Sequence, residues 1–453
     1  MKKYFIFTLL ILLTACGGKK KRLLTLDSVN TVVPEAIASQ YQSVATIDTI
    51  TPKHGIRSHG IRKTDSAHPL IKLNIGEAAS GDFNLSDFYS GAEYIKLKHP
   101  VENAGFVNGT AYFMNLASGG RMNTTVHSSA DFTGDHIIAG DMIYGYYAYD
   151  TSGKYLYKIW SPKTLVPYSE TRITQTIGST ETFLSTIIIN GNNCLVSLSG
   201  GDSKNGKLEM HNISERSVVS RPMSGYPGSV ILPNAETYFE NKYNYRMPNG
   251  SKFMHSYNFA TGDTLSVFTN YNPTGEQAPQ SVYYPTNEDL GFTKYYNGEA
   301  TFRQAYCDTI YRVKSAADLI AAYTFDMGDR KLDMTKELFS SAIGKLLPSD
   351  WLETEKFILF SFAKGKESAS DKTEYLHYVY YKDSGKILSL EKEFPYSRLT
   401  SLHNKLFISF TKTQLKEMID HDSFSSFPGQ QQDKMKSLYD GMDVKELLMM
   451  IIK

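Results

Sequence analysis

Two short stretches of this chain gather side chains that can do chemistry. The first holds His127, Asp131, Asp135, His136 and Asp141. Converging imidazoles and carboxylates can move protons or hold a ligand, and at the mouth of a ring-shaped fold they would line a polar site. The same residue types also make an ordinary polar loop and strand edge. The second stretch holds Asp326, Asp329 and Asp333 around Gly328 and Arg330. Two carboxylates about 5 to 9 Å apart can cleave a glycosidic bond, whereas Asp beside Gly is also ordinary turn chemistry. Asp135, His136, Asp326 and Asp329 are carried forward as binding candidates. No catalytic residue, metal ligand or cofactor is assigned. Tyr144, Tyr146, Tyr147 and Tyr149 can stack on sugars or pack a strand face. His54, His59 and His68 have no standard metal spacing. The sequence contains no G-x-S-x-G elbow, HExxH helix, P-loop or sialidase-type Asp box.

Composition narrows the classes. A net charge of +1 over 453 residues gives no electrostatic support for a nucleic-acid partner. The aromatic fraction of 13%, with 31 Tyr, favours pleated, half-buried surfaces and hence β structure. Three cysteines occur, Cys16, Cys194 and Cys307. The last two sit in apparent strands far apart in sequence, so a disulfide in an oxidising compartment and two buried thiols both remain open.

The chemistry of Cys16 is easier to read. Lys2 and Lys3 precede an apolar run from Tyr4 to Leu13, and Leu13-Thr14-Ala15-Cys16 follows. A basic start, a short apolar run and small residues make a signal peptide over residues 1–15. Ten apolar residues are too few to span a bilayer of about 30 Å as a helix. The quartet ending in Cys16 resembles the lipobox of bacterial lipoproteins. That resemblance implies a diacylglyceryl thioether on the Cys16 thiol, cleavage before it, and a stable hold on the membrane. Gly17 in place of Asp implies the outer membrane, and the basic Lys19-Lys20-Lys21-Arg22 points to the periplasmic side.

The rest of the chain must position these groups. Residues 16–67 lack sustained periodicity and are read as a lipid-anchored flexible tether of roughly 50 residues, with a coil span near 40 Å. From about residue 68 to 453 the pattern alternates with period two, as in Glu93-Tyr94-Ile95-Lys96-Leu97-Lys98. Strand pairs close repeatedly on Gly turns at Gly153, Gly206, Gly262 and Gly385. A β-meander returning every 40 to 55 residues or so is the mark of a β-propeller. Six blades are expected near 101–160, 165–220, 225–270, 275–315, 350–392 and 397 to the end. Helical insertions are expected at Met334–Leu347 and over Gln414–Gly441, split near Pro428. The apolar Glu446–Ile452 run is expected to finish the last blade together with strands from residues 70–98, removing exposed edges. A β-sandwich pair is the alternative.

Three segments carry a family likeness. Leu85-Ser86-Asp87-Phe88-Tyr89-Ser90-Gly91-Ala92-Glu93-Tyr94-Ile95-Lys96-Leu97, Tyr149-Asp150-Thr151-Ser152-Gly153-Lys154-Tyr155-Leu156, and Asp308-Thr309-Ile310-Tyr311-Arg312-Val313 with Tyr323-Thr324-Phe325-Asp326-Met327-Gly328 resemble the six-bladed β-propeller lipoproteins of unknown function of gut-type Gram-negative bacteria. The likeness implies an all-β, six-bladed propeller with small helical insertions at the cell envelope, and no reaction. The functional expectation is a non-catalytic binding or scaffold module, anchored to the membrane through its lipid, for a ligand or envelope protein. The alternative is a periplasmic glycan-active hydrolase or lyase with its site at the axial mouth.

Overall fold

The structure, a computed structural model, describes residues 41–453 less the stretches 116–120, 163–171, 178–181, 201–205, 224–228, 242–250, 270–291, 333–342, 367–370 and 391–399 and positions 68, 85–86, 103, 134, 305–306, 372, 403–404, 422–423 and 426. The signal peptide and Cys16 lie outside the described residues.

The alternating segments fold into six antiparallel sheets arranged as the blades of a propeller. Blade 1 contains Ser129–Thr133, His136–Asp141, Gly145–Asp150 and Tyr155–Trp160. Blade 2 contains Thr182–Asn190, Asn193–Gly200, Gly206–Asn212 and Ser217–Met223. Blade 3 contains Ser229–Ile231, Thr237–Asn241, Lys252–Asn258 and Thr264–Thr269. Blade 4 contains Phe292–Tyr296, Glu299–Arg303, Thr309–Val313 and Asp318–Asp326. Blade 5 contains Leu346–Glu353, Phe357–Lys364, Glu374–Tyr381 and Ile387–Leu390. Blade 6 takes Thr400–Leu402, Lys405–Thr411 and Glu446–Ile452 from one end of the chain and Ala92–Lys98 from the other. First strands touch around the axis between blades 1 and 2, 2 and 3, 4 and 5, 5 and 6, and 6 and 1, and blades 3 and 4 share an apolar cluster, which closes the ring. The end of the ring carrying the turns between first and second strands is called the upper face.

Packing follows from this arrangement. Each blade buries both of its faces against neighbours, so apolar residues form separate clusters between blades rather than one core. Helices Lys412–Asp420 and Gly429–Asp440 are inserted between the second and third strands of blade 6 and bury Leu415, Met418 and Met435. Thr411 and Gln414 form a reciprocal capping box at the first of them. Pro428 precedes the second, as expected from the sequence. The other expected helix falls largely on residues outside those described, and its last residues, Leu346 and Leu347, open the first strand of blade 5. Parts of the expected first and second blades instead form a separate three-stranded sheet, Asn108–Asn115, Arg121–His127 and Arg172–Ile177.

The expected tether is corrected. It does not run to residue 67, because strands begin at Ser43. Ser43–Thr46 pairs parallel with the outermost strand of blade 2, and Ser58–His59 with that of blade 3. Ile61–Lys63 and Ile71–Asn74 pair with blade 4, and Ala79–Gly81 with blade 5. This belt follows the blades in order before entering blade 6. It escapes sequence reading because its strands are two to four residues long and Ser43–Thr46 is exposed throughout, so no alternation is imposed. Backbone hydrogen bonds carry the pairing, and the belt covers strand edges that would otherwise invite aggregation. Tyr41 pins its start: the hydroxyl donates to the Ile159 carbonyl at 3.0 Å and meets His211 Nδ1 at 2.6 Å. Gly60 passes so close to the Phe268 ring that a Cβ there would overlap it.

Cys194 and Cys307 are free thiols, which settles the alternatives left by the sequence against a disulfide.

Candidate functional site

An open groove of about 890 Å³ lies on the upper face over blade 6, reaching blades 1 and 5. Its apolar floor is Ile95, Phe132, Ile451 and Ile452, and its rim includes Asp87, Glu93, Glu355, Lys356 and Lys453. The upper ends of the closing strands of blade 6, with Phe132 of blade 1, supply the floor, and Asp87, Glu355 and Lys356 of the rim lie outside the strands. Phe132 meets Phe407 edge-on at 5.0 Å. On the wall, Phe88 stacks on Tyr381 at 5.6 Å and tilts against Phe357 at 5.1 Å. Lys356 Nζ sits 4.8 Å above the Tyr89 ring and donates to the Phe88 carbonyl at 2.5 Å. Burial pushes the Tyr89 hydroxyl up, so it stays a neutral donor. Lys453 and Glu93 pair at 2.5 Å, both well exposed, so a ligand can exchange that contact at little cost.

Next to the groove, the upper end of the blade 4–blade 5 interface is ionic. Glu353 is buried, and its Oε1 accepts from Tyr323 OH at 2.5 Å, Lys382 Nζ at 2.9 Å and Arg312 Nη2 at 3.0 Å. Glu299 pairs with Arg312 and Lys314. Burial works against the Arg312 charge, but Glu353 outweighs it and raises the pKa. Lys382 Nζ also lies 4.6 Å above the Tyr296 ring. The cluster joins two blades, and sequence reading missed it: Glu353 ends an apolar strand with nothing beside it in sequence to mark its partners.

The sequence candidates do not assemble into one site. Asp135 and His136 lie at the first turn of blade 1, on the upper face, with Asp135 exposed and His136 half-buried. Asp326 and Asp329 lie three blades away. A fourth strand ends on the lower face, so the two pairs are at opposite ends of the ring. Asp326 accepts from the Gly328 amide at 3.1 Å, where Gly328 adopts φ +56°. Asp329 sits in the short 3₁₀ turn Gly328–Arg330. Arg330 donates to the Ile75 carbonyl at 3.1 Å, and the Ile75 amide bonds to the Asp326 carbonyl at 2.8 Å. This corner therefore holds the belt. Asp333 lies outside the described residues.

Other candidates resolve into structure. Asp141 is buried and accepts from Ser128 Oγ at 2.6 Å and from the Ile143 and Tyr144 amides at 2.8 Å. Tyr144, Tyr147 and Tyr149 are fully buried between blades, which removes them as sugar platforms. His54 and His59 belong to the belt region, His68 lies outside the described residues, and His127 is in the separate sheet. No group of three or more His, Cys, Asp or Glu that could hold a metal occurs among the described residues.

Solved structures with some likeness to this chain include an ancestral GH74 enzyme (10% identity, TM-score 0.32, covering 69% of this chain and 36% of that one). A GH74 xyloglucanase from Xanthomonas campestris aligns at 8% identity and TM-score 0.29, over 70% of this chain and 43% of the other. BamB from Moraxella catarrhalis aligns at 8% identity and TM-score 0.30, over 80% and 98%. The chain thus spans well under half the length of the two GH74 structures. No curated protein matches it. A family model does, over residues 54–399, from the middle of the belt to blade 6: the chain belongs to the family described as a domain of unknown function, DUF4933.

Proposed function

We propose that the chain is an outer-membrane lipoprotein, held through Cys16 and facing the periplasm, whose propeller is a non-catalytic binding module. Its upper-face groove takes an extended polar ligand, with a glycan chain as the first class to test. The observation that carries this reading is the groove itself: an apolar floor, aromatic walls at Phe88 and Tyr89, and a mixed-charge rim. Hydroxyl-rich chains present both apolar ring faces and hydrogen-bonding edges, which suits that lining. Among the described residues no helix is long and apolar enough to cross a membrane, so anchoring rests on the lipid reading of Cys16. With the belt starting at Tyr41, residues 17–40 are what this reading leaves to link anchor and ring.

The full-length chain in detergent, incubated with a panel of peptidoglycan fragments and plant and host oligosaccharides, should retain at least one without cleaving it. Turnover would favour the glycan-active enzyme instead, and neither retention nor turnover would contradict the glycan reading of the groove.

A further inference from the structure

One face of blade 1 carries two buried polar atoms that the fold leaves unsatisfied, with a carboxyl beside them. Ser129–Thr133 pairs antiparallel with His136–Asp141, setting Thr133 opposite His136 and Asp131 opposite Ile138. Directly opposed residues share a face, as do residues two apart on one strand. Asp131, Thr133 and His136 therefore stand side by side. Phe132 points the other way, to Phe407 of blade 6, so the trio faces blade 2. Cys194 of blade 2 lies near enough for the Asp131 charge to raise its pKa, after the larger effect of burial.

Thr133 is fully buried and its Oγ1 has no hydrogen-bond partner. Buried Nδ1 of His136 also has none. Asp131 makes no hydrogen bond or ion pair with the described residues, and it keeps partial exposure although it lies on the innermost strand. Desolvation lifts its carboxyl to about 6, with Lys294 of blade 4 working in the opposite direction. Native folds rarely leave buried polar atoms unpaired, and two side by side next to the Asp131 carboxyl, beside the axis, call for an occupant.

We propose that this face binds a neutral polyhydroxylated ligand, a free sugar or the end of a saccharide, admitted along the axis from the upper face. Adjacent ligand hydroxyls donate to the Asp131 carboxylate and exchange hydrogen bonds with Thr133 Oγ1 and His136 Nδ1. Charge disfavours the other classes. An anion meets Asp131. An inorganic cation meets Lys294, which pairs with Asp350 at 2.7 Å, and finds few strong ligands. Admission needs a rotation of His136, half-exposed at the rim, whose ring has no hydrogen bond to break. The site is distinct from the groove over blade 6 and does not depend on it.

The probes are glucose, galactose, mannose and N-acetylglucosamine, each free and as the terminal unit of a trisaccharide. Their binding to the full-length chain in detergent is followed by saturation-transfer NMR and titration calorimetry. At least one probe should bind, and Asp131→Asn and Thr133→Val should each weaken it tenfold or more. Thr133→Val keeps the volume of the side chain, and both variants are checked for an unchanged melting transition. Asp329→Asn, on the lower face, should bind as the parent does. Preference for the free sugar or the trisaccharide identifies the source. No binding of any probe at tens of millimolar, or equal binding by both variants, would overturn the proposal.

Discussion

At the residue scale, two carboxylates on the first strands of their blades behave in opposite ways. Glu353 is compensated: a guanidinium, an ammonium and a phenol converge on one of its oxygens. Removing the carboxylate strands Arg312 and Lys382 in a half-buried site, so Glu353→Ala should cost about 3 kcal/mol in denaturant unfolding. Asp131 has no such partners among the described residues, and burial raises its carboxyl from the ordinary 3.8 to about 6. The native state then holds this proton more tightly than the unfolded chain. Its contribution is fully favourable below about pH 4 and is lost as pH rises through about 6. Asp131→Asn should leave stability near pH 4 unchanged and raise it near pH 7, by about 1 kcal/mol after allowing for partial exposure. Equal effects at the two pH values would show that the carboxyl is not raised. Asp135 and His136 were legible as a polar pair from sequence, but the face shared by Asp131, Thr133 and His136 was not. It depends on which residue stands across the hairpin, and that register is a property of the folded sheet.

At the element scale, strands that alternate were legible and strands that do not were hidden. Glu93-Tyr94-Ile95-Lys96-Leu97-Lys98 has one face buried, and its pattern shows it. The apolar Glu446–Ile452 run pairs with it, and its role in closing the last blade is legible because a strand packed on both faces reads as continuous hydrophobicity. The belt carried no such signal. It nevertheless covers the outer edges of blades 2 to 5. A chain starting at residue 68 should lose the cover on blades 2 and 3 and part of that on blade 4. It should melt several degrees lower and aggregate, whereas a chain starting at residue 41 should melt as the full-length protein does. Equal melting and solubility would mean the belt contributes nothing. Gly60→Val should give a milder version of the same defect, because the new side chain meets Phe268.

At the scale of the whole molecule, the ring separates two ends with different work. The lower face carries the helices and the Asp326–Arg330 corner that grips the belt. The upper face carries the groove, the ionic cluster of blades 4 and 5, and the mouth of the axis. Six blades were legible because the meander repeats. The groove was not, because its wall comes from residues 87–90 and its floor from strands some 300 residues apart in sequence. The proposed lipid anchor should be separable from this ring: Cys16→Ser should leave a folded propeller, by near-ultraviolet circular dichroism, that no longer carries lipid label.

The central claim is that the upper-face groove is the binding surface. Its most direct test is glycan retention by the full-length chain carrying Tyr89→Ala, Lys356→Glu or, on the lower face, Asp329→Asn. Retention should fall at least tenfold for the first two and stay unchanged for the third, with melting transitions preserved. Retention unaffected by both groove changes, or lost on changing Asp329, would contradict the account.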